Sequence, residues 1–378
     1  RYLVCLILCL PILPLSFPFL FIFLVCKYKK YFLNKTNTKT DFLNIGLKIL
    51  KWYGLNAREL PWRTTKNPYH IWICEIVLQQ TRVEQGKNHY LNFIERFPEV
   101  KSLAEANIDE VLLYWKGLGY YSRAINLHSA AQQIMNDFDG NFPNHFEDIL
   151  KLKGVGKYTA AAVASICFDE KIPAIDGNFY RVLSRIFADD FDISSSKAYQ
   201  YFYNLAAMIM PEEKPGDFNQ AIMDIGSEVC KPKNPNCYIC PVKKDCLAFE
   251  MGRVQDFPVK SKKVKAQDLK LHYYYIRYRN QFIIKQRDDS FIWKKLYDFP
   301  EKIPLDFEKW ITHEKTIHHK LTHKNLEIVI SEVSLNNKKD FQKFSEENQF
   351  LIITYEESHQ KSFPKPLENF LKKEFEEL

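Results

Sequence analysis

Several features are missing from the 378-residue sequence, and each absence narrows what it can be. A uniform positive field is one: the net charge of +7 is concentrated at the front, where residues 1–30 carry +4 and residues 31–40 carry +2. Residues 41–260 hold 25 basic and 27 acidic groups, and residues 261–378 hold 22 and 19. A polyanion site must therefore come from local clusters. An even cysteine framework is also missing. Of nine cysteines, Cys5, Cys9 and Cys26 lie in an apolar leader, Cys74 and Cys167 lie in apolar runs, and four crowd between residues 230 and 246. That distribution argues against a disulfide-stapled fold and for a reducing compartment with one metal site. No repeat of fixed period is present. Apolar residues at 46% and charged ones at 26% exclude a disordered or collagen-like chain, and the length asks for two domains of roughly 150 residues.

Charge is absent from Tyr2 to Cys26, and Lys27, Lys29 and Lys30 come directly after. That run is long enough to span a bilayer and would leave the rest of the chain in the cytoplasm, although Pro11, Pro14 and Pro18 weaken a helix there. The first methionine is Met135. Three readings stand for residues 1–40: an artefact of start assignment, a membrane anchor or targeting segment, and a cleaved signal.

From Asp41 to about Met251 the apolar spacing is helical, as in Leu103, Val111, Leu112, Trp115 and in Val182, Leu183, Ile186, Phe187. Beyond the basic run Lys260–Lys265 the pattern changes to short β-rich stretches at Leu271–Tyr278, Phe282–Ile284, Leu326–Ile330 and Phe350–Thr354. Pro364 and Pro366 precede a charged C-terminal helix. The expected architecture is a multidomain one. An all-α domain spans 41–252, with a cysteine loop at 230–246; a basic linker comes next at 253–267, then a smaller α+β domain at 268–378.

Four constellations carry chemistry. In Cys230-x6-Cys237-x2-Cys240-x5-Cys246, four thiolates can wrap one cubane iron–sulfur cluster. Zinc competes, but structural zinc usually takes two close pairs and this run has one. Lys231, Lys233, Lys243 and Lys244 give the loop a positive surface suited to phosphate, or simply a solvated one. In Leu152-Lys153-Gly154-Val155-Gly156-Lys157-Tyr158-Thr159, Gly154 and Gly156 permit a tight turn ahead of an alanine-rich helix. The bare N–H groups and Lys157 would then clamp a phosphate, as in a helix–hairpin–helix. Glu75 sits within Ile71-Trp72-Ile73-Cys74-Glu75-Ile76-Val77-Leu78, where burial would raise its pKa and suit it to be a general acid. A helix-face glutamate paired with a basic group is the plainer reading. Asp176, in Ile175-Asp176-Gly177-Asn178, is either a helix N-cap, a catalytic carboxylate or both. An acid and an ionised carboxylate together match glycosidic-bond chemistry.

Taken together, these residues resemble one family. Leu60-Pro61-Trp62-Arg63, Glu75 with Leu78-Gln79-Gln80-Thr81, Gly117-Leu118-Gly119-Tyr120-Tyr121, the hairpin, Asp176-Gly177-Asn178 and the four cysteines are similar to the A/G-specific adenine DNA glycosylases (MutY type) over about 41–250. The resemblance implies a helix–hairpin–helix glycosylase fold with a 4Fe–4S cluster on Cys230, Cys237, Cys240 and Cys246. It implies double-stranded DNA as the partner, with adenine opposite 8-oxoguanine or guanine as the substrate. Glu75 would protonate adenine and Asp176 would stabilise the sugar cation, with Tyr158 and Asn178 assisting. Tyr120 and Gln80, beside Thr81, would wedge the stack around the extruded base, and Trp62 and Arg63 would line the adenine pocket. Asp224 stands where the family tends to have a longer acid.

The competing enzyme is an endonuclease III-like glycosylase/lyase on oxidised pyrimidines, which carries a Schiff-base lysine at the place of Tyr158. Here the lysine is Lys157, turned about 100° away on a helix, so base removal without efficient strand cleavage is expected. A non-catalytic DNA-binding scaffold is the alternative from another class, and the retention of both Glu75 and Asp176 argues against it. The second domain is similar, more loosely, to the family's Nudix-like module, through Leu296-Tyr297-Asp298-Phe299-Pro300 and His319-Lys320-Leu321-Thr322-His323. Thr322 and His323 would face the opposite strand, with Leu321 where the family often has Phe. The Nudix hydrolase box is absent, so nucleotide hydrolysis is not expected. The resulting expectation is a monomeric, cytoplasmic, DNA-associated repair enzyme, membrane-attached only if residues 1–26 are a genuine anchor.

Overall fold

The structure, a computed structural model, describes residues 38–261, 266–288 and 292–376. The apolar leader at residues 1–26 and positions 262–265 of the basic linker lie outside the described residues. Among the described residues no helix is long and apolar enough to cross a membrane.

The chain is helical first: α1 (Thr38–Asn56), α2 (Pro68–Val77), α3 (Val83–Arg96), α4 (Val100–Ala104), α5 (Ile108–Tyr114), α6 (Ser122–Asp137), α7 (Phe146–Ile149), α8 (Lys157–Phe168), α9 (Gly177–Ile186), α10 (Ala198–Ile209), α11 (Pro215–Asp224) and α12 (Leu247–Glu250). Sheet begins at β1 (Gln267–Tyr278) and continues through β2 (Gln281–Gln286), β3 (Tyr297–Asp298), β4 (Ile311–Lys320) and β5 (Lys324–Ser334). Helix α13 (Lys338–Asn348), strand β6 (Leu351–Thr354) and helices α14 (Tyr355–Ser358) and α15 (Lys365–Glu376) complete it. The switch from helical to β pattern read in the sequence is the switch observed.

By compactness the described residues divide into two units, each assembled from separate stretches of chain. The first takes residues up to Ile71, Asn144–Lys151 and Val155 to the linker. Its core forms because α9 places Val182, Leu183 and Ile186 on one face at helical spacing. They pack with Phe42, Ile45 and Ile49 of α1 and with Phe202, Leu205 and Ile209 of α10. In α8 the run Ala160–Ala164 is completely buried, and its small side chains let α11 approach closely.

The second unit takes Trp72–Pro143, Leu152–Gly154 and the chain after the linker. In its sheet, strands run in the order β3-β2-β1-β5-β4, with β6 also on β2. Parallel pairing of β1 with β5 runs from Gln267↔Lys324 to Arg277↔Ser334, and β4 and β5 form an antiparallel hairpin. The alternation of strand side chains splits the core over the two faces. Tyr273, Tyr275 and Ile328 pack with Leu367, Phe370 and Leu371 of α15. Ile276, Ile283 and Val333 pack with Phe341 and Phe344 of α13. The Leu296–Pro300 motif is structural: Leu296, Tyr297, Asp298 and Phe299 are all buried, and Asp298 is ion-paired with Arg287.

Candidate active site and cysteine centre

In the first unit, Asp176 is the N-cap of α9. Its Oδ1 accepts from the backbone N–H groups of Asn178 and Phe179 at 2.9 Å each, and its Oδ2 accepts from Asn178 Nδ2 at 2.7 Å. Burial pushes this carboxyl above its ordinary value; the three donors and Arg181 oppose the shift without cancelling it. The segment entering Asp176 is tied down by buried Asn219, which accepts from Ala174 N at 3.1 Å and donates to Ile172 O at 2.9 Å. The cap and the catalytic reading of Asp176 are thus compatible.

Asn178 is held from its other side. Its Oδ1 accepts from Arg181 Nη2 at 2.7 Å, and the same nitrogen donates to Gly226 O at 2.7 Å. A Cβ on Gly226 would stand 2.6 Å from Asn178 Oδ1, so only glycine fits there. Arg181 Nε donates to Cys230 O at 2.7 Å, which links the Asp176 cap to the cysteine loop through hydrogen bonds.

The four cysteines predicted as ligands do converge. Cys230, Cys237, Cys240 and Cys246 line one cavity of about 390 Å³, measured out to its solvent mouth, together with Arg185 and Val242. All four are free thiols. Burial pushes the thiols of Cys240 and Cys246 up to about 12 and about 11. Side chains that would otherwise stay protonated need a positive centre to become thiolate ligands. Among the described residues no three of the His, Cys, Asp and Glu side chains close on a single-ion position. Arg185, only 2% exposed, is the strut of this loop. It donates to the carbonyls of Cys230, Lys231, Pro232, Val254 and Phe257 at 2.8–3.3 Å, and Nη1 lies 3.3 Å from Cys230 Sγ. Lys231, Lys233 and Lys244 are exposed, whereas Lys243 lies over the rings of Tyr238 and Phe249.

Elsewhere in this unit, Gly156 is the N-cap of α8 and, as glycine, supplies no capping side chain. Lys157 Nζ lies 4.5 Å from the centre of the Tyr199 ring, and the Tyr158 hydroxyl points at Met223 Sδ, 3.6 Å away. The two neighbours therefore face different partners, as the helical turn between them requires. Trp62 is buried. Arg63 forks onto Asp224, with Nη1–Oδ2 at 2.6 Å and Nη2–Oδ1 at 2.8 Å, and Arg58 joins the same carboxylate. That ion pair was not anticipated, and it commits Arg63 to the fully buried Asp224.

In the second unit, Glu75 lies near the end of α2 and is 9% exposed, between buried Cys74 and Ile76. Gln80 is exposed on the next turn, with φ +57°. Tyr120 is 47% exposed with φ +46°, in a loop where Gly117 and Gly119 also have positive φ. Tyr120 is thus a surface residue. Thr322 and His323 are exposed at the tip of the β4–β5 hairpin, and the Thr322 and Tyr120 hydroxyls are hydrogen-bonded to each other. Thr81 turns its hydroxyl to Gln79 O at 3.4 Å. Gly154 has φ +74°, and a Cβ there would meet Asn126 at 2.5 Å, so both conformation and space require glycine. The sequence reading missed three arginines, Arg123, Arg181 and Arg185. For Arg181 and Arg185 the signal was present: two arginines four residues apart on an amphipathic helix share one face.

Residues 73–207 match the family model of the HhH-GPD superfamily base excision DNA repair proteins, and residues 272–373 match a NUDIX domain. The chain is 35% identical over 336 residues to the adenine DNA glycosylase of Buchnera aphidicola subsp. Schizaphis graminum, covering 85% of this chain and 96% of that one. It is 39% identical over 209 residues to the adenine DNA glycosylase of Homo sapiens, covering 53% of this chain and 38% of that one. Among solved structures, a thermostable thymine-DNA glycosylase aligns with a TM-score of 0.53 at 32% identity, covering 57% of this chain and 99% of that one. The first of these segments holds Glu75, Gln80, Tyr120, the hairpin and Asp176, the second holds Thr322, and the match to the Buchnera protein runs nearly end to end: the chain belongs to the adenine DNA glycosylases and is a base-excision repair enzyme of the helix–hairpin–helix class.

Proposed function

We propose that the chain hydrolyses the N-glycosidic bond of adenine mispaired with 8-oxoguanine or guanine in duplex DNA, and does not itself cut the strand. The observation that carries this reading is a pair of carboxyls held within the fold: Glu75 is buried in an apolar helix, and Asp176, a helix cap, has both oxygens held by donors. Two such carboxyls suit an acid and a carboxylate with separate tasks. Glu75 gives its proton to a ring nitrogen of the extruded adenine. The C1′–N9 bond breaks with its electron pair leaving on the base, and the oxocarbenium centre on the sugar is stabilised by the Asp176 carboxylate. Water then adds at C1′ and its proton returns to a carboxylate, leaving an abasic site. Asn178 orients Asp176, and Tyr158 stands where a lyase would carry its lysine. Lys157, one residue earlier on the helix, has its ammonium over Tyr199 and so faces a different partner from Tyr158.

Gln80 and Thr81 with Tyr120 wedge the base stack, and Trp62 with the Arg63–Asp224 pair lines the adenine pocket. The uncapped start of α8, with Gly154, Gly156 and Lys157, takes a backbone phosphate. Thr322 and His323 read the opposite base. Cys230, Cys237, Cys240 and Cys246 hold a 4Fe–4S cluster, which fixes the loop between them and supplies redox-capable iron. The enzyme works on DNA as a cytoplasmic monomer. The test is chromatographic detection of free adenine from duplexes containing adenine opposite 8-oxoguanine or guanine. Adenine release that Glu75→Gln reduces about 10²- to 10⁴-fold is expected. Release of thymine glycol instead of adenine overturns the reading.

A further inference from the structure

The wedge residues sit on two separate turns, and both turns are left-handed at the residue that matters: φ is +57° at Gln80 and +46° at Tyr120. Neither is glycine, so each backbone is strained by an amount on the order of 1 kcal/mol, and something must hold it there. The peptide before each wedge residue is held by the same side chain. Arg123, near the start of α6, sends Nη1 to Gln79 O at 2.6 Å and Nη2 to Gly119 O at 3.3 Å. Nη1 also donates to Ile76 O at 2.8 Å and Val77 O at 3.2 Å, which are last-turn carbonyls of the helix that carries Glu75. Nη2 also reaches Leu118 O at 3.2 Å. Most of these are acceptors at a helix end and in a tight loop; Ile76 O also accepts from Gln79 N at 3.4 Å.

The guanidinium is further sandwiched by rings: its carbon lies 5.2 Å from the centre of Trp115 and 5.7 Å from that of Tyr120, and Trp115 Nε1 donates to Gly119 O at 3.1 Å. One edge of Arg123 stays unsaturated. Its Nε is buried without a hydrogen-bond partner and borders a narrow pocket with Gln79, Asn126 and Lys153.

We infer that Arg123 is a positioning residue that locks the Gln80 turn, the Tyr120 loop and the end of the Glu75 helix into one unit, so that both wedges enter the duplex together. This rests on the wedge roles given to Gln80 and Tyr120 above. A lysine cannot replace it, because one ammonium cannot bridge two sets of planar carbonyl acceptors.

The test uses the full chain and its Arg123→Lys and Arg123→Met variants, with two readouts. The first needs no activity: hydrogen exchange in the free protein, monitored in peptides covering residues 76–82 and 116–122. Faster exchange in both segments at once, with the sheet unchanged, is expected. A change in one segment alone, or in neither, overturns the clamp. The second is extrusion, read as fluorescence of 2-aminopurine placed opposite 8-oxoguanine, alongside single-turnover adenine release per titrated active site. Both are expected to fall at least tenfold in Arg123→Lys. Loss should be much smaller when the target adenine lies in an unpaired bulge that needs no wedge. An equal loss on both substrates, or a loss explained entirely by a smaller active fraction, assigns Arg123 to folding alone. If the parent chain releases no adenine, the proposed function fails, while the exchange experiment still decides the clamp.

Discussion

Arg185 and Arg123 do the same mechanical job in the two units, and they differ in how completely they are used. Each gathers five backbone carbonyls from two stretches of chain: residues 230–232 and 254–257 for Arg185, residues 76–79 and 118–119 for Arg123. Arg185 is sealed in at 2% exposure and ties down a loop with little reason to move. Arg123 is half-buried, leaves Nε without a partner, and lies against the exposed Tyr120 ring. A saturated tie suits a scaffold, and an unsaturated one suits turns that must yield when DNA is gripped. The residues proposed for chemistry follow the same division, with Asp176 inside the region of closed hydrogen bonds and the proposed wedges Gln80 and Tyr120 on exposed turns with positive φ.

The sharpest way to break that contrast is to remove the charge at its most enclosed point. Asp176→Asn is expected to reduce adenine release by about 10²- to 10⁴-fold while leaving the melting temperature equal or higher. Burial has raised the carboxyl in the folded state, so its charge opposes folding at neutral pH, and asparagine keeps the cap. A clear fall in Tm would show that the charge is stabilising. The same shift fixes a pH dependence. Between the ordinary carboxylate value and the raised one, the native state binds a proton that the unfolded chain has lost. Stability therefore falls as pH rises through that window, while activity that needs ionised Asp176 rises. The acid limb of the single-turnover rate should lie above the ordinary value of 3.8.

Next in size is the comparison of the two arginines themselves. Arg185→Met strands carbonyls on both sides of the cysteine loop and should lower stability by about 3 kcal/mol or more, with loss of the visible absorbance that the proposed cluster would give. Arg123→Met should cost only about 1–2 kcal/mol, because its own side chain is less deeply buried than that of Arg185. Equal losses in urea unfolding would erase the contrast. Smaller again is Gly226→Ala, whose Cβ would push Asn178 out of place; adenine release should fall roughly tenfold with little change in duplex binding. The smallest effect is expected at the hairpin tip. Thr322→Ala loses one hydroxyl partner of Tyr120 and should narrow the preference for 8-oxoguanine over guanine by a few-fold, about 1 kcal/mol, in competitive single-turnover rates.

Much of this was legible in the sequence wherever function needed an unusual residue in an ordinary pattern. A glutamate inside an apolar helix, an Asp-Gly-Asn at a helix start and four crowded cysteines all break their local context, and all lie where the context predicted. Strands β1, β2, β5 and β6 were legible from their branched and aromatic runs. Strand β4 was not, because Ile311–Lys320 is an edge strand rich in His, Lys and Thr and carries little apolar alternation. The arginine ties were illegible for a different reason. Their acceptors are backbone carbonyls, which no side-chain pattern records, so Arg123 reads in the sequence as an exposed helix residue. The assembly of the second unit from Trp72–Pro143 and the C-terminal sheet was also hidden, since the contacts that make it, such as Tyr297 to Asp109 at 2.7 Å, join residues far apart in the chain.

The central claim is removal of adenine by a monofunctional glycosylase. The most direct measurement incubates the purified chain with a duplex holding adenine opposite 8-oxoguanine, beside a thymine-glycol duplex, and resolves each strand with and without hot alkali. Breaks at the adenine that appear only after alkali are the expected result, because hydrolysis as proposed leaves an abasic site in an uncut strand. Breaks without alkali confined to the thymine-glycol duplex would contradict the account.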